Sequence, residues 1–312
     1  MNCSIVIRAF NEERHLGRLL DGIAQQTLQA TEVILVDSGS TDRTPAIAAA
    51  HGARVLHLRP EDFSFGRSLN LGIAAAQHDK VVIASAHVYP VYPDWLERLL
   101  APLSDPHTAL SYGKQRGNSD SRFSEQQIFQ SWFPDRSDPR QPHPFCNNAN
   151  AAIQRELWQK QPYDETLTGL EDLAWARQAM DRGFSIVYAA DAEVIHVHHE
   201  TPHGVYNRYR REAMAYKQIF PAERFSFNDL LQLISRNIWN DVRQASRQKS
   251  LQRHLPSILW FRFMQFWGAY QGHRHPSRIT EQLRRTFYYP DAALPPESSG
   301  RREIDPIHYS EP

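Results

Sequence analysis

The sequence predicts an α/β protein with a mostly parallel central sheet, helices on both faces, and a helical C-terminal extension. Two observations carry this reading. Short apolar runs alternate with amphipathic segments through the first 115 residues, and strands separated by helices favour parallel pairing with helices on both faces. Beyond residue 200 the strand-like runs stop and helical patterns take over. A chain of 312 residues accommodates one large α/β domain with an appendage, or two modest domains.

The elements follow in order. Strands are expected over 3–10, 32–36, 54–58, 80–85 and 109–112. Leu16, Leu19, Leu20 and Ile23 recur at helical spacing between the first two. Thr44-Pro45 announces the next helix, a capping hydroxyl followed by proline in the first turn. Residues 116–144, rich in Ser, Asp, Pro and Arg, read as a long irregular excursion of the kind that forms lids or binding loops. A helix near 172–182 and two strands over 185–189 and 193–197 come next. Residues 258–270 form an apolar helix, with Leu259, Trp260, Phe263, Phe266 and Trp267 around a narrow polar face of Arg262 and Gln265. Prolines at 290, 295, 296 and 306 predict an extended tail. The division expected is 1–200, with halves at 1–115 and 116–200, then the extension 201–312.

Hydrophobic residues make up 41% and charged residues 22% of the chain, as in an ordinary globular protein. Two cysteines exclude a disulfide framework, and their spacing is no zinc signature. With no basic, apolar leader and no run near the ~20 apolar residues that span a bilayer, a cytoplasmic protein is expected. The zero net charge hides an asymmetry: residues 201–285 carry 15 Lys/Arg against 5 Asp/Glu. Such a segment suits a solvated helical face, an anionic acceptor, or peripheral contact with the inner face of the plasma membrane. Nucleic acid is not the expected partner.

Ligands of such sheets bind beyond the carboxyl ends of the strands, so the strand-end residues are the informative ones. The first strand runs into Ala9-Phe10-Asn11-Glu12 and the second into Asp37-Ser38-Gly39-Ser40-Thr41-Asp42. Asp37 is placed to accept hydrogen bonds from a base or ribose, and Ser38-Gly39 makes a small turn that a phosphate or ribose approaches closely. The same residues also serve as a turn and a helix cap. The strand over 80–85 ends in Ser85-Ala86-His87.

These motifs, in order, resemble family 2 glycosyltransferases of the Rossmann-like GT-A fold. Residues 63–76, FSFGRSLNLGIAAA, resemble the F-x-x-x-R-x-x-N-x-G segment of their rhamnosyltransferase-like branch, and YGKQ at 112–115 resembles its Y-G-R-Q. Residues 170–188 resemble the family's E-D stretch. The likeness covers roughly residues 3 to 200. It implies an inverting enzyme that moves a sugar from a nucleotide-diphosphate donor, and its branch points to a deoxythymidine-diphosphate deoxysugar. The acceptor would be a glycan or lipid-linked hydroxyl in cell-surface polysaccharide synthesis. The family's general base falls on Asp172, with Glu171 next to it. The nucleotide site falls on Ala9, Asn11, Glu12, Asp37, Ser38, Gly39, Ser85 and His87, with Arg67 and Asn70 nearby or else on a surface helix. Lys114, Gln115, Asn147, Asn148 and Asn150 are expected at the donor sugar or acceptor, the amides suiting sugar hydroxyls.

The chain departs from the family at Ser85-Ala86-His87, where members carry D-x-D and bind Mg²⁺ or Mn²⁺. Two readings stay open. The diphosphate is met without metal, by imidazole directly; or His87 joins His196, 24 residues after Asp172, with or without His198, in an unusual metal site. Two further alternatives are a non-catalytic sugar-nucleotide or glycan-binding protein and a nucleotidyltransferase of related fold. The latter wants a Gly-rich, Lys-bearing N-terminal loop, which AFNEERHLG lacks.

Overall fold

The structure, a computed structural model, describes residues 2–30, 32–198, 200–274 and 304–309. Its first half alternates as the apolar pattern requires: β1 (Ser4–Ala9), α1 (Leu16–Ala24), β2 (Glu32–Asp37), α2 (Thr44–Ala50), β3 (Arg54–His57), α3 (Phe65–Ala75) and β4 (Lys80–Ser85). Then come β5 (Val88–Pro90), α4 (Trp95–Leu100), β6 (Thr108–Arg116), α5 (Phe123–Trp132), β7 (Asn150–Gln154) and α6 (Arg155–Lys160). The chain continues through α7 (Glu171–Asp181), β8 (Ser185–His196), α8 (Pro202–Ile219), α9 (Phe227–Arg247) and α10 (Leu251–Gly272).

The strands form one sheet in the order β3-β2-β1-β4-β7-β6-β8-β5. β1 to β4 pair parallel, β7 runs antiparallel to β4 and β6, β8 is parallel to β6, and β5 is antiparallel to β8. The sheet is therefore mixed but mostly parallel. Alternate residues of β1 feed opposite cores, as a period of two demands. Val6 packs with Ile34, Leu69 and Ile83 on one face, while Ile5 and Ile7 pack with Leu16, Leu19 and Leu35 on the other. Each such fully buried side chain contributes about 1.5–3 kcal/mol. Gly72 lets α3 lie close on the sheet, since a Cβ there would collide with Val6 and press on Val36.

Three sequence expectations are corrected. The segment 116–144 is not one irregular excursion, because β6 runs to Arg116 and α5 fills the middle. The strands expected over 185–189 and 193–197 are one continuous β8, whose Ala-rich centre lacks the bulky alternation that marks a strand. The polar face of 258–270 points inward. Arg262 and Gln265 are each 1% exposed, whereas Leu259 and Phe263 are about half exposed at 46% and 47%.

That inversion has a cause. Arg262 donates from Nε and Nη2 to the Asp241 carboxylate at 2.7 and 2.9 Å, and Ser124 Oγ donates to the same carboxylate at 2.6 Å. A buried bidentate pair satisfied in this way locks α9 and α10 onto α5. The helical extension is thereby fixed to a helix that lines the central cavity. Residues 304–309 return to the sheet edge, where the Ile307 N–H meets the Val91 carbonyl at 2.9 Å and Tyr309 Oη donates to the Pro90 carbonyl. The rest of the expected extended tail, and His199, lie outside the described residues. No helix among the described residues is long and apolar enough to cross a membrane.

Candidate active site

The parallel registers Ala9↔Asp37 and Arg8↔Ser85 bring the first, second and fourth strand ends side by side. They border a cavity of about 370 Å³. Ala9, Glu12, Ser38, Ser85, His87, Gln115, Asn147, Asn148, Glu171, Asp172, His196 and His198, all singled out from the sequence, line it.

One wall is carboxylate. Helix α7 starts at Glu171, directly after Leu170, whose φ of +57° is unusual for a branched residue and marks a backbone held by its surroundings. Asp172 Oδ2 accepts the Asn148 N–H at 3.0 Å and Oδ1 accepts the Leu173 N–H at 2.8 Å. Glu171 Oε1 meets Arg8 Nη1 at 3.2 Å and Asn148 Nδ2 at 3.4 Å. Burial pushes the Asp172 carboxyl up from 3.8 to about 7, the Glu171 charge adds to this, and the two N–H bonds and Arg8 oppose it. A carboxylate poised near neutrality suits proton abstraction at ordinary pH.

The opposite wall is imidazole. After β4 the chain crosses to the far edge of the sheet, where β5 pairs with β8 in the register Val88↔His196. The Val197 N–H bonds the His87 carbonyl at 3.1 Å. His196 and His198 lie two residues apart and share a side. The result is a cluster of His87, His196 and His198 whose ligand atoms all fall within 4.8 Å of one another. Each Nδ1 faces an oxygen: Glu12 Oε1 at 2.7 Å, Gln115 Oε1 at 2.7 Å and Glu125 Oε1 at 2.6 Å respectively. His196 Nε2 is buried with no hydrogen-bond partner. Burial holds the His196 ring well below the usual histidine range, with His198, His87 and Arg208 adding to the effect. A neutral His196 ring with an unpartnered Nε2, beside two further imidazoles, fits a divalent cation.

Other predicted residues are not brought to the cavity. Asp37, 2% exposed, spends its carboxylate on the Gly39 and Ser40 N–H groups of its own turn at 3.2–3.3 Å, where Gly39 has φ +92°. The Asn11 side chain accepts the Thr41 N–H at 2.8 Å. Arg67 pairs with Glu165 at 2.8 Å, and Asn70 donates to the Tyr163 carbonyl at 2.9 Å. Lys114 pairs with Asp135 at 2.7 Å. Asn150 is fully buried, accepting from Trp95 Nε1 at 2.9 Å and donating to the Ala192 carbonyl at 2.8 Å. Each is engaged with groups other than those lining the cavity.

Sequence reasoning missed Glu125 on α5 and Arg208, Arg211 and Glu212 on α8, all at the cavity. Arg208 bridges Glu200 at 2.9 Å and Glu125 at 3.5 Å. Burial opposes its charge, but Tyr209, Glu200, Glu125 and Glu212 together hold it firmly protonated. Arg8 and Arg211 both lie over the Phe65 ring, 4.8 and 4.5 Å from its centroid. The available signal was RYRREAMAYK at 208–217, where charged residues interrupt a helix at positions its packing needs apolar.

The mixed α/β sheet with its strand-end cavity is the GT-A fold. The family model "Glycosyl transferase family 2" matches residues 4–160. The chain belongs to this family and is a glycosyltransferase. It is 25% identical over 225 residues to the O-antigen chain rhamnosyltransferase RfbN of Salmonella typhimurium, covering 67% of this chain and 70% of that one. It is 26% identical over 200 residues to the O-antigen chain rhamnosyltransferase WbaN of Salmonella anatum, covering 59% and 62%. Among solved structures, the mannosyltransferase PcManGT of Pyrobaculum calidifontis, in complex with GDP-Man and Mn²⁺, matches with a TM-score of 0.56 at 18% identity over 86% of this chain and 85% of that one. Glucosyl-3-phosphoglycerate synthase of Mycobacterium tuberculosis, in complex with Mn²⁺, UDP and glucosyl-3-phosphoglycerate, matches with a TM-score of 0.53 at 22% identity over 72% and 83%. The structural likenesses bear on the fold alone.

Proposed function

We propose that this glycosyltransferase moves a sugar from a nucleotide-diphosphate donor to an acceptor hydroxyl with inversion, in the synthesis of a cell-surface polysaccharide. The observation that carries the reading is Asp172, buried at the cavity with its pKa raised to about 7 and its carboxylate held by the Asn148 and Leu173 N–H groups. The acceptor hydroxyl attacks the anomeric carbon as the nucleotide diphosphate leaves from the opposite face. Asp172 takes the hydroxyl proton as the new bond forms. Asn148 and Arg8 hold Asp172 and Glu171 in place, and the Asn147 amide at the cavity wall suits a sugar hydroxyl. His87, His196 and His198 would hold a divalent cation, which supplies positive charge to a leaving diphosphate. Similarity to two O-antigen rhamnosyltransferases supports a deoxysugar donor and a polysaccharide product. A thermal-shift screen of nucleotide sugars followed by product analysis tests this. A donor that stabilises the wild type and yields product of inverted anomeric configuration is expected, and a product of retained configuration would sink the inverting assignment.

A second observation supports a lipid-linked acceptor met at a membrane surface. Trp239, Leu255, Leu259 and Phe263 are exposed on α9 and α10, with Arg236, Arg243, Arg247 and Arg253 exposed on the same helices. Aromatic and aliphatic side chains beside basic ones suit an anionic bilayer surface. Co-sedimentation with anionic vesicles that weakens as salt rises is expected. Equal recovery in the supernatant with anionic and neutral vesicles at low salt would remove this part of the reading.

A further inference from the structure

We propose that Tyr309, together with the backbone of Ile307, is a positioning element for the transfer reaction: it holds the edge strand β5 and, through it, sets His87 at the cavity. The inference rests on the reading of His87 as part of the donor diphosphate site, and one arm of its test does not depend on that reading.

β5 is poorly equipped to hold itself. It has three residues, Val88–Pro90, and it is the last strand of the sheet, paired only with β8. Pro90 has no N–H to give to a ladder, and the outer side of an edge strand carries unpaired backbone groups. Its anchors to the β8 side are the Val197 N–H on the His87 carbonyl at 3.1 Å and the Val91 N–H on the Glu193 carbonyl at 3.0 Å. His87 comes directly before this strand and lines the cavity, with Nδ1 2.7 Å from Glu12 Oε1. Fraying of β5 would move His87 away from Glu12.

Residues 304–309 hold the other side. The Ile307 N–H donates to the Val91 carbonyl at 2.9 Å, and Tyr309 Oη donates to the Pro90 carbonyl. The Tyr309 ring meets the Tyr89 ring edge-to-face, with centroids 5.2 Å apart at 69°, a favoured geometry for an aromatic pair. Tyr89, Pro90 and Val91 are thus each engaged by the tail.

The slot is shaped for this occupant. Gly22 is a buried residue of α1, and a Cβ there would collide with the Tyr309 hydroxyl and the Pro90 ring. Glycine weakens the helix that contains it, and the close approach of Tyr309 accounts for one at this position. Burial, with Tyr89 and Asp21 adding to it, pushes the Tyr309 phenol above its ordinary range. The hydroxyl therefore keeps the proton that the Pro90 carbonyl accepts.

Tyr309→Ala and Tyr309→Phe are made in the full chain, each alone and combined with His87→Ala. The first arm needs no substrate: hydrogen exchange is followed by mass spectrometry. Tyr309→Ala should raise exchange over residues 87–91 by about tenfold or more, with β1 and β2 at wild-type rates. Gly22→Ala should loosen the same stretch, although alanine is the better helix former. The second arm measures kcat/KM for the nucleotide sugar that the thermal-shift screen selects. Tyr309→Ala should cost about fivefold alone and less than about twofold in the His87→Ala background, because the two residues act through one another. Tyr309→Phe, which keeps the ring and loses the hydroxyl, should fall between wild type and Tyr309→Ala. A tail that merely stabilises the fold would cost the same in both backgrounds. Melting curves identify any variant that has lost its fold, and Tyr309→Phe keeps the test standing if Tyr309→Ala does. Unchanged exchange over 87–91 in the Tyr309 variants, or equal losses of kcat/KM with and without His87, would each overturn the proposal. A wild type that turns over no nucleotide sugar would count against the transferase reading instead, and the exchange arm would then decide by itself whether Tyr309 holds the His87 strand.

Discussion

The carboxylate and imidazole walls of the cavity answer the same burial in opposite directions. Burial raises the Asp172 carboxyl to about 7 and drives the His196 ring well below its ordinary range. Both shifts favour the uncharged form, as a low-dielectric pocket requires. Their chemical consequences diverge. A carboxylate that holds its proton weakly near neutrality is a base in waiting, whereas an imidazole kept neutral is a ligand. The supports differ in the same sense. Asp172 is held by backbone N–H groups that stabilise its charged form, and each histidine Nδ1 faces a side-chain oxygen.

Removing the base should have the largest effect. Asp172→Asn is expected to lower kcat by ~10²-fold or more with donor affinity nearly intact. Turnover within a few fold of wild type would take Asp172 out of the mechanism and leave that wall merely structural. The imidazole wall should be next in size. His87→Ala is expected to cut donor use by ~10-fold or more, and Ser85→Ala by much less, because a hydroxyl adds only a neutral hydrogen bond. Equal losses in the two variants, measured as kcat/KM for donor, would erase the distinction between the wall and its neighbouring strand end.

The pH dependence sharpens the comparison further. Transfer should rise with pH through about 7 as Asp172 ionises, and residual activity in Asp172→Asn should lack that limb. Stability should run the other way. The folded-state pKa lies above the ordinary 3.8, so between about pH 4 and 7 the fold keeps a proton the unfolded chain has released, and stability falls as pH rises across that window. Asp172→Asn should therefore melt higher than wild type at pH 8, with the gain shrinking towards pH 4. A gain that is constant with pH would show that burial is not what perturbs this carboxyl. The smallest expected effect is at Arg67, whose ion pair with Glu165 is largely exposed. Arg67→Ala should change donor affinity by less than about fivefold, since an exposed ion pair away from the cavity contributes little. A loss beyond 20-fold, by calorimetry, would bring Arg67 into the nucleotide site.

Local chemistry made the first half of the chain legible. β1 to β4 are apolar runs bounded by turn residues, and the residues after them, Glu12, Ser38, Ser85 and His87, line the cavity because a parallel sheet presents its strand ends together. The adjacency of Glu171 and Asp172 at a helix start was equally readable, as was the pairing of His196 with His198 by the period of a strand. Sequence spacing did not reveal which polar groups would be consumed by the fold. Asp37, Asn70 and Asn150 carry the right chemistry at the right strand ends, yet their hydrogen bonds close on their own turn or on neighbouring backbone.

What the sequence by itself determined is therefore the sheet's parallel half, the glycosyltransferase family and the strand ends that meet at the site. Only the tertiary structure decided the rest. β5 had to cross to β8 before His87 could stand beside His196, and α5 and α8 had to dock before Glu125 and Arg208 could reach His198. The inward turn of Arg262 on α10 belongs with these, because its partner Asp241 sits on a different helix. The physical reason is shared. Periodicity reports which face of one element is apolar, whereas a polar side chain turned inward is placed by its partner, and that partner lies 21 residues away for Arg262 and 73 for His198.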